Sequence, residues 1–149
     1  MANLAYTYCK IGRYSEAETL EIQVMEKQKE LLGRYSEAET LEIQVMEKQK
    51  ELLGQHHPHT LRAMAYLAIT YKELGRYPEA ETLEIQVMEK HNELLGLHHP
   101  HTLMAMANLA NTYCKLGRYS EAETLLIQVT EMQKELLGQY HPHTLRAIA

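Results

Sequence analysis

The stretch that decides the fold is RYSEAETLEIQVMEKQKELLG, residues 13–33, which residues 34–54 repeat letter for letter. Variants of the same string occupy residues 76–96 and 118–138. We call these four segments B modules. Each ends on glycine, which adopts the left-handed conformation after a helix at little cost. The pattern therefore predicts four copies of one helix, each followed by a glycine stop.

A second kind of segment separates the later B modules. It reads QHHPHTLRAMAYLAITYKELG at residues 55–75 and recurs at residues 97–117, with partial copies at residues 1–12 and 139–149. We call these segments A modules. Their proline stands where the first turn of a helix tolerates it, and apolar residues then recur at three- to four-residue spacing. Each A module is therefore predicted to form one helix with an apolar stripe.

The two helices must bury their stripes against each other, because neither can do so alone. An A and a B module together form one repeat, residues 55–96, and residues 97–138 form the next. Stacking of such hairpins predicts an all-α solenoid of antiparallel helix pairs. We expect residues 1–149 to form a single repeat domain in which one B helix is duplicated.

Three motifs recur in each repeat: Leu-Ala-x-x-Tyr in the first helix, Gly-Arg-Tyr-x-Glu-Ala-Glu at the turn, and His-Pro-x-Thr-Leu at the start of the next hairpin. They resemble the tetratricopeptide repeat, and more narrowly its 42-residue form in kinesin light chains. The resemblance covers essentially the whole chain. It implies a right-handed superhelix that binds other proteins or peptides without catalysing a reaction.

The composition excludes several classes of protein. A net charge of −5 argues against nucleic acid as the main partner. No apolar run approaches the roughly 18 residues that a membrane-spanning helix needs. Cys9 and Cys114 are the only cysteines and share one motif position, which favours a reduced, cytoplasmic chain over a disulfide framework.

The two complete A modules differ mainly on one helical face. Five of their six differences follow this face, opposite the apolar stripe: Arg62/Met104, Tyr66/Asn108, Ile69/Asn111, Lys72/Cys114 and Glu73/Lys115. The resemblance implies that this face lines a groove for extended peptides. The alternative is that exposed positions vary because nothing constrains them.

The candidate binding residues share this face in the complete and partial A modules. They are Asn3, Tyr6, Lys10, Arg62, Tyr66, Ile69, Lys72, Asn108, Asn111 and Lys115. In kinesin-light-chain-like repeats, the asparagine of an Asn-Leu-Ala motif reaches the peptide backbone. Asn3 and Asn108 match that asparagine, whereas Tyr66 replaces it in the middle copy.

The charges of the two module types differ. The A segments carry a net charge of +4 and the B modules a net charge of −9. A basic groove backed by acidic helices predicts an acidic peptide ligand. The resemblance implies the same, because kinesin-light-chain-like repeats take acidic and aromatic peptide motifs.

The histidine clusters at residues 56–59, 98–101 and 140–143 do not predict a metal site. Such a site needs three or four converging ligands, whereas neighbouring repeats should stand about 10 Å apart. Nucleotide-binding loops and nucleophile elbows are also missing from the sequence. We therefore expect no cofactor, no metal and no enzymatic activity.

The duplicated B module interrupts the alternation, because no A module stands between residues 33 and 34. We expect the helix to break at Gly33, since Leu32-Gly33-Arg34-Tyr35 copies the hairpin turn at residues 74–77. The alternative is one helix from about Tyr14 to Leu53, because a glycine inside a helix costs only about 1 kcal/mol.

Both arrangements leave an apolar face incompletely covered near the duplication. The partial A modules, residues 1–12 and 139–149, also spell one whole helix between them. A second interpretation follows: an engineered or recombined, self-assembling repeat protein that forms homo-oligomers head to tail and has no natural ligand.

Overall fold

A computed structural model of the chain describes residues 14–138, and all regular structure in this range is α-helical. The helices are α1 (Tyr14–Leu53), α2 (Pro58–Glu73), α3 (Tyr77–Leu95), α4 (Pro100–Lys115) and α5 (Tyr119–Leu137). No helix in the described range is long and apolar enough to cross a membrane. The all-α prediction is confirmed. The partial A modules lie outside the described residues.

Backbone contacts divide the chain into two compact units, residues 1–38 and 39–149. In the second unit α2 packs on α3, α3 on α4, and α4 on α5. The core consists of two clusters built around Leu61, Met64 and Val87 and around Leu103, Met106 and Val129. The apolar stripe predicted for the A helices is therefore the buried face of the stack.

The His-Pro-His-Thr motif starts each A helix. Nδ1 of His57 accepts a hydrogen bond from the backbone N–H of His59 at 3.2 Å, as an N-cap side chain does. The hydroxyl of Thr60, which is fully buried, donates to the carbonyl of Gly54 at 2.8 Å. The same bonds recur one repeat later. These histidines and threonines therefore fix the turn between successive repeats.

A glycine motif ends the A helices. The backbone N–H of Gly75 donates to the carbonyl of Lys72 at 3.0 Å, and that of Arg76 to the carbonyl of Tyr71 at 2.8 Å. This is the Schellman arrangement, and Gly75 has the positive φ of 73° that it requires. The predicted glycine stop is confirmed at every described glycine except Gly33.

The expected break at Gly33 is wrong, because α1 continues through this residue to Leu53. Gly33 has no positive φ, and a Cβ added there would meet nothing within 4 Å. A break would require module 13–33 to act as an A helix and place Glu26 where Ala68 is 1% exposed. Burial of an unpaired charge costs more than one glycine inside a helix, so the continuous helix is preferred.

Residues 39–53 of α1 stand in the position of a B helix. Nη1 of Arg76 lies 2.5 Å from Oε1 of Glu39. One repeat later Arg118 makes the same contact with Glu81 of α3, also at 2.5 Å. Each arginine also lies over a tyrosine ring of its own hairpin. The Gly-Arg-Tyr-x-Glu-Ala-Glu motif therefore joins successive B helices to each other.

Candidate functional site

Side chains of α2 and α4 enclose a cleft above α3, with a volume of about 270 Å³. We call it the A groove. Its walls are Pro58, His59, Arg62 and Ala65 of α2 and His101, Met104, Ala105 and Asn108 of α4, and its floor is Val87 and His91 of α3. The groove exists because each A helix buries one face in the stack and leaves the opposite face exposed.

The structure places most of the predicted binding residues on this exposed face. Arg62 and Asn108 line the A groove, and both are exposed. Tyr66 and Ile69 are 56% and 45% exposed and continue the same face of α2. Asn111 and Lys115 do so on α4 and are also exposed. Asn3, Tyr6 and Lys10 lie outside the described residues.

Lys72 differs from the prediction, because it is not an available cation. Its Nζ lies 2.8 Å from Oε1 of Glu84, and the two side chains are only 16% and 6% exposed. The hydroxyl of Thr112 donates to Oε2 of the same carboxylate at 2.5 Å. Lys72 stands at the edge of the variable face, and its long stem carries the ammonium inward to this carboxylate.

Histidines supply much of the polar surface of the groove. The rings of His91 and His101 have centroids 5.7 Å apart, and those of His99 and His101 are 5.0 Å apart. Burial, and then the charges that His101 and His99 would carry, hold the pKa of His91 below its ordinary value. His91 is therefore neutral near pH 7 and offers one donor and one acceptor.

These histidines do not form a metal centre. Within the described part of the chain, no three metal-ligating side chains are placed to hold one ion. The rings of His57 and His99 already accept hydrogen bonds as the N-caps of α2 and α4. The groove histidines can therefore offer hydrogen bonds, and Arg62 offers a positive charge.

The comparison of the two A modules missed His59 and His101 as groove residues. Both are identical in the two copies, and that comparison selects only positions that differ. The available signal was spacing: His59 precedes Arg62 by three residues, and His101 precedes Met104 by three, so each shares the variable face.

The chain matches the tetratricopeptide repeat family over residues 1–34, 31–59, 60–101 and 102–143. No curated protein matches it. Among solved structures it is similar to a protein described as a kinesin light chain from Podosopora anserina, with nearly identical TPR-like repeats. The TM-score is 0.69 at 33% identity, over 83% of this chain and 61% of that one. A single-residue variant of that protein matches equally well.

The fold is also shared with BtubC (BKLC) from P. vanneervenii, with a TM-score of 0.66 at 20% identity, over 97% of this chain and 56% of that one. The chain thus spans about three fifths of the length of these solved proteins. The chain belongs to the tetratricopeptide repeat family, with repeats like those of kinesin light chains, and such repeats mediate protein–protein interaction.

Proposed function

We propose that the chain is a protein-interaction scaffold that binds an extended, acidic peptide in the A groove. The observation that carries the proposal is the exposed face of α2 and α4, where Arg62 and Asn108 line one cleft with three histidines. The same two helices bury their opposite faces almost completely. The residues that differ between the two A modules therefore face a ligand, whereas the residues of the core are the same in both.

Each wall of the groove has a suitable chemistry for such a peptide. Arg62 can hold a carboxylate through two parallel N–H donors. The amide of Asn108 can donate to one backbone carbonyl and accept from one N–H, which suits an extended strand that has no internal hydrogen bonds. Val87 at the floor and Ala105 on the α4 wall are buried and favour an apolar or aromatic side chain of the ligand there.

The proposal includes the absence of catalysis. Glu84, the buried carboxylate beside the groove, is held by Lys72 and Thr112 and is not available as a base. The histidines face each other and the solvent rather than a nucleophilic side chain. A groove of this kind positions a ligand, and the fold family is one of interaction scaffolds.

Fluorescence anisotropy with a labelled acidic peptide that contains one aromatic residue tests the proposal. The parent protein should bind it, and the same peptide with lysines in place of its acidic residues should bind at least tenfold more weakly. Arg62→Glu should lower the affinity for the acidic peptide by about tenfold or more, because it places a carboxylate beside the ligand's own.

Lys48→Glu is the matched control, since it makes the same charge change on an exposed residue of α1 outside the groove. It should leave the affinity within about twofold, because exposed charges at a distance are screened by salt. Equal losses for the two variants would mean that only net charge matters. Equal affinity of the parent for the acidic and the lysine peptide would refute the proposal.

A further inference from the structure

A second cleft, of about 260 Å³, lies between α1 and α2. Four residues of α1, Leu41, Glu42, Val45 and Gln49, and four of α2, His59, Arg62, Ala63 and Tyr66, line it. We call it the α1 cleft. All of these residues belong to the second compact unit.

The α1 cleft is an A groove that lacks one wall. Six of its eight lining residues have equivalents, 42 residues later, in the floor and the α4 wall of the A groove. Val45 corresponds to Val87, Gln49 to His91, and Tyr66 to Asn108. The other wall of the A groove comes from α2, an A helix. The segment directly before residues 34–54 is another B module, so no A module stands there to supply the equivalent wall.

The exposed fractions of the apolar side chains in the α1 cleft show the effect of the missing wall. Val45 is 50% exposed, whereas Val87 and Val129, at the same position in the later B helices, are each 4% exposed. Leu41 is 62% exposed, whereas Leu83 is partly buried against the core. Identical side chains at equivalent positions are thus exposed in α1 and buried or partly buried in the later B helices.

Two buried polar atoms of the cleft also lack a hydrogen-bond partner in the described part of the chain. Oε2 of Glu42 and Oε1 of Gln49 are buried, and neither has a hydrogen-bond partner among the described residues. Glu84, which is the equivalent of Glu42 one repeat later, is bonded to Lys72 and Thr112. Buried acceptors of this kind are costly, so an occupant that brings donors is favoured.

We propose that the α1 cleft binds residues 139–149 of a second copy of the chain. This segment reads QYHPHTLRAIA and is an A module in sequence. Its Pro142, His143, Arg146 and Ala149 match Pro58, His59, Arg62 and Ala65, which form the α2 wall of the A groove. Its Leu145 matches Leu61, which is 2% exposed in the core.

Charge favours an A module over a B module as the occupant. Residues 139–149 contain Arg146 and no acidic residue, so they bring no carboxylate to Glu42. Each B module contains several glutamates, so a B module in the cleft would place negative charges beside Glu42. The same segment of the same chain follows Gly138, two repeats away from the cleft, so we assign the occupant to a second copy.

The contact joins different surfaces on the two copies, so each bound chain still offers one cleft and one segment. Such association builds head-to-tail oligomers whose size rises with concentration. The α1 cleft shares His59 and Arg62 with the A groove. Val45 and Leu145 are not part of the A groove, so variants at these two residues test association separately from peptide binding.

Complementation between two variants tests it by light scattering after size exclusion. The parent should gain mass as its concentration rises by about a hundredfold. Val45→Arg should prevent binding in the cleft, and Leu145→Arg should prevent the segment from binding. Each variant alone should therefore stay at the monomer mass. Their equimolar mixture should form a dimer and stop there, because one intact cleft meets one intact segment.

Gln44→Arg is the control, since Gln44 is exposed on the same helix and does not line the cleft. It should associate like the parent, and circular dichroism should give the same helix content for every variant. A monomeric parent at all concentrations, association of Val45→Arg like that of the parent, or a mixture without dimer would each overturn the proposal.

Discussion

At the scale of single residues, Lys72, Glu84 and Thr112 connect three helices. The carboxylate of Glu84 on α3 is held by the ammonium of α2 and the hydroxyl of α4. The corresponding positions one repeat later are Cys114 and Leu126, an uncharged pair. The chain therefore has a buried charged pair at these positions in one repeat and an uncharged pair in the next, where Leu126 is 44% exposed.

Lys72→Met should lower the free energy of unfolding by about 2–3 kcal/mol, because it leaves Glu84 buried without its cation. The double variant Lys72→Cys, Glu84→Leu copies the next repeat and should recover most of that loss. Urea unfolding of the two variants under reducing conditions measures both effects. A double variant as unstable as Lys72→Met would show that the ion pair itself, and not the burial of an unpaired charge, stabilises the hairpin.

We expect the free energy of unfolding to fall at acid pH because of His91. Burial lowers the pKa of its imidazole in the folded chain below the ordinary 6.5. The unfolded chain therefore binds the proton more readily than the folded chain. The contribution of neutral His91 to the free energy of unfolding is fully present above pH 6.5, and it is lost as the pH drops through the lower pKa of the folded chain.

His91→Gln, which copies Gln49 and Gln133, removes this group. Its urea midpoint should fall less than that of the parent between about pH 7.5 and pH 5. Parallel falls in the two proteins would rule out His91 as the source of the pH dependence.

At the scale of helices, local sequence determines most of the helix ends, and tertiary packing determines whether a helix ends at Gly33. The glycine pattern predicted where α2 to α5 end, and the His-Pro-His-Thr pattern predicted where α2 and α4 begin, because turns of this kind depend on the conformations and hydrogen bonds of a few neighbouring residues. Residues 32–35 have the same four letters as the turn at residues 74–77, yet they are helical. Both segments that flank Gly33 are B modules, and a B module offers no apolar face suited to pair with its own copy.

Two alanine substitutions distinguish a helical glycine from a terminating one. Gly33→Ala should raise helix content and stability by about 0.5–1 kcal/mol, because alanine is the better helix former and the site is open. Gly75→Ala should destabilise by about 1 kcal/mol or more, because the residue has a φ of 73°. Thermal unfolding by circular dichroism compares them, and destabilisation by Gly33→Ala would mean that α1 ends there.

At the scale of the whole molecule, the exposed face of the A helices could be predicted from the sequence, whereas its polar connections and most of the lining of the A groove could not, since only Arg62 and Asn108 of the candidate residues line it. The variable face identified Arg62, Tyr66 and Asn108 as exposed, because a core cannot tolerate such changes. Lys72 was misplaced because a long side chain can leave the face on which its Cα lies. Its pairing with Glu84 occurs in one repeat only, so no internal copy indicated it.

Removal of residues 34–54 should leave a folded array. Residues 13–33 are identical and would resume the B position, with Glu18 in place of Glu39 as the partner of Arg76. We expect the urea midpoint to be kept and the helix signal per chain to fall by roughly the share of one module. A broad, weakly cooperative transition would show that the duplicated module is required for folding.

The measurement that tests the central claim most directly is an NMR titration of the ¹⁵N-labelled chain with the acidic peptide. Binding in the A groove predicts that amide shifts change around Arg62, Tyr66, Asn108 and Asn111, while the exposed surface of α5 is unaffected. These changes should weaken as salt rises from about 50 to 300 mM, because an acidic ligand on a basic face is screened. Shift changes that cluster on the B helices, or that are absent from α2 and α4, would contradict the account.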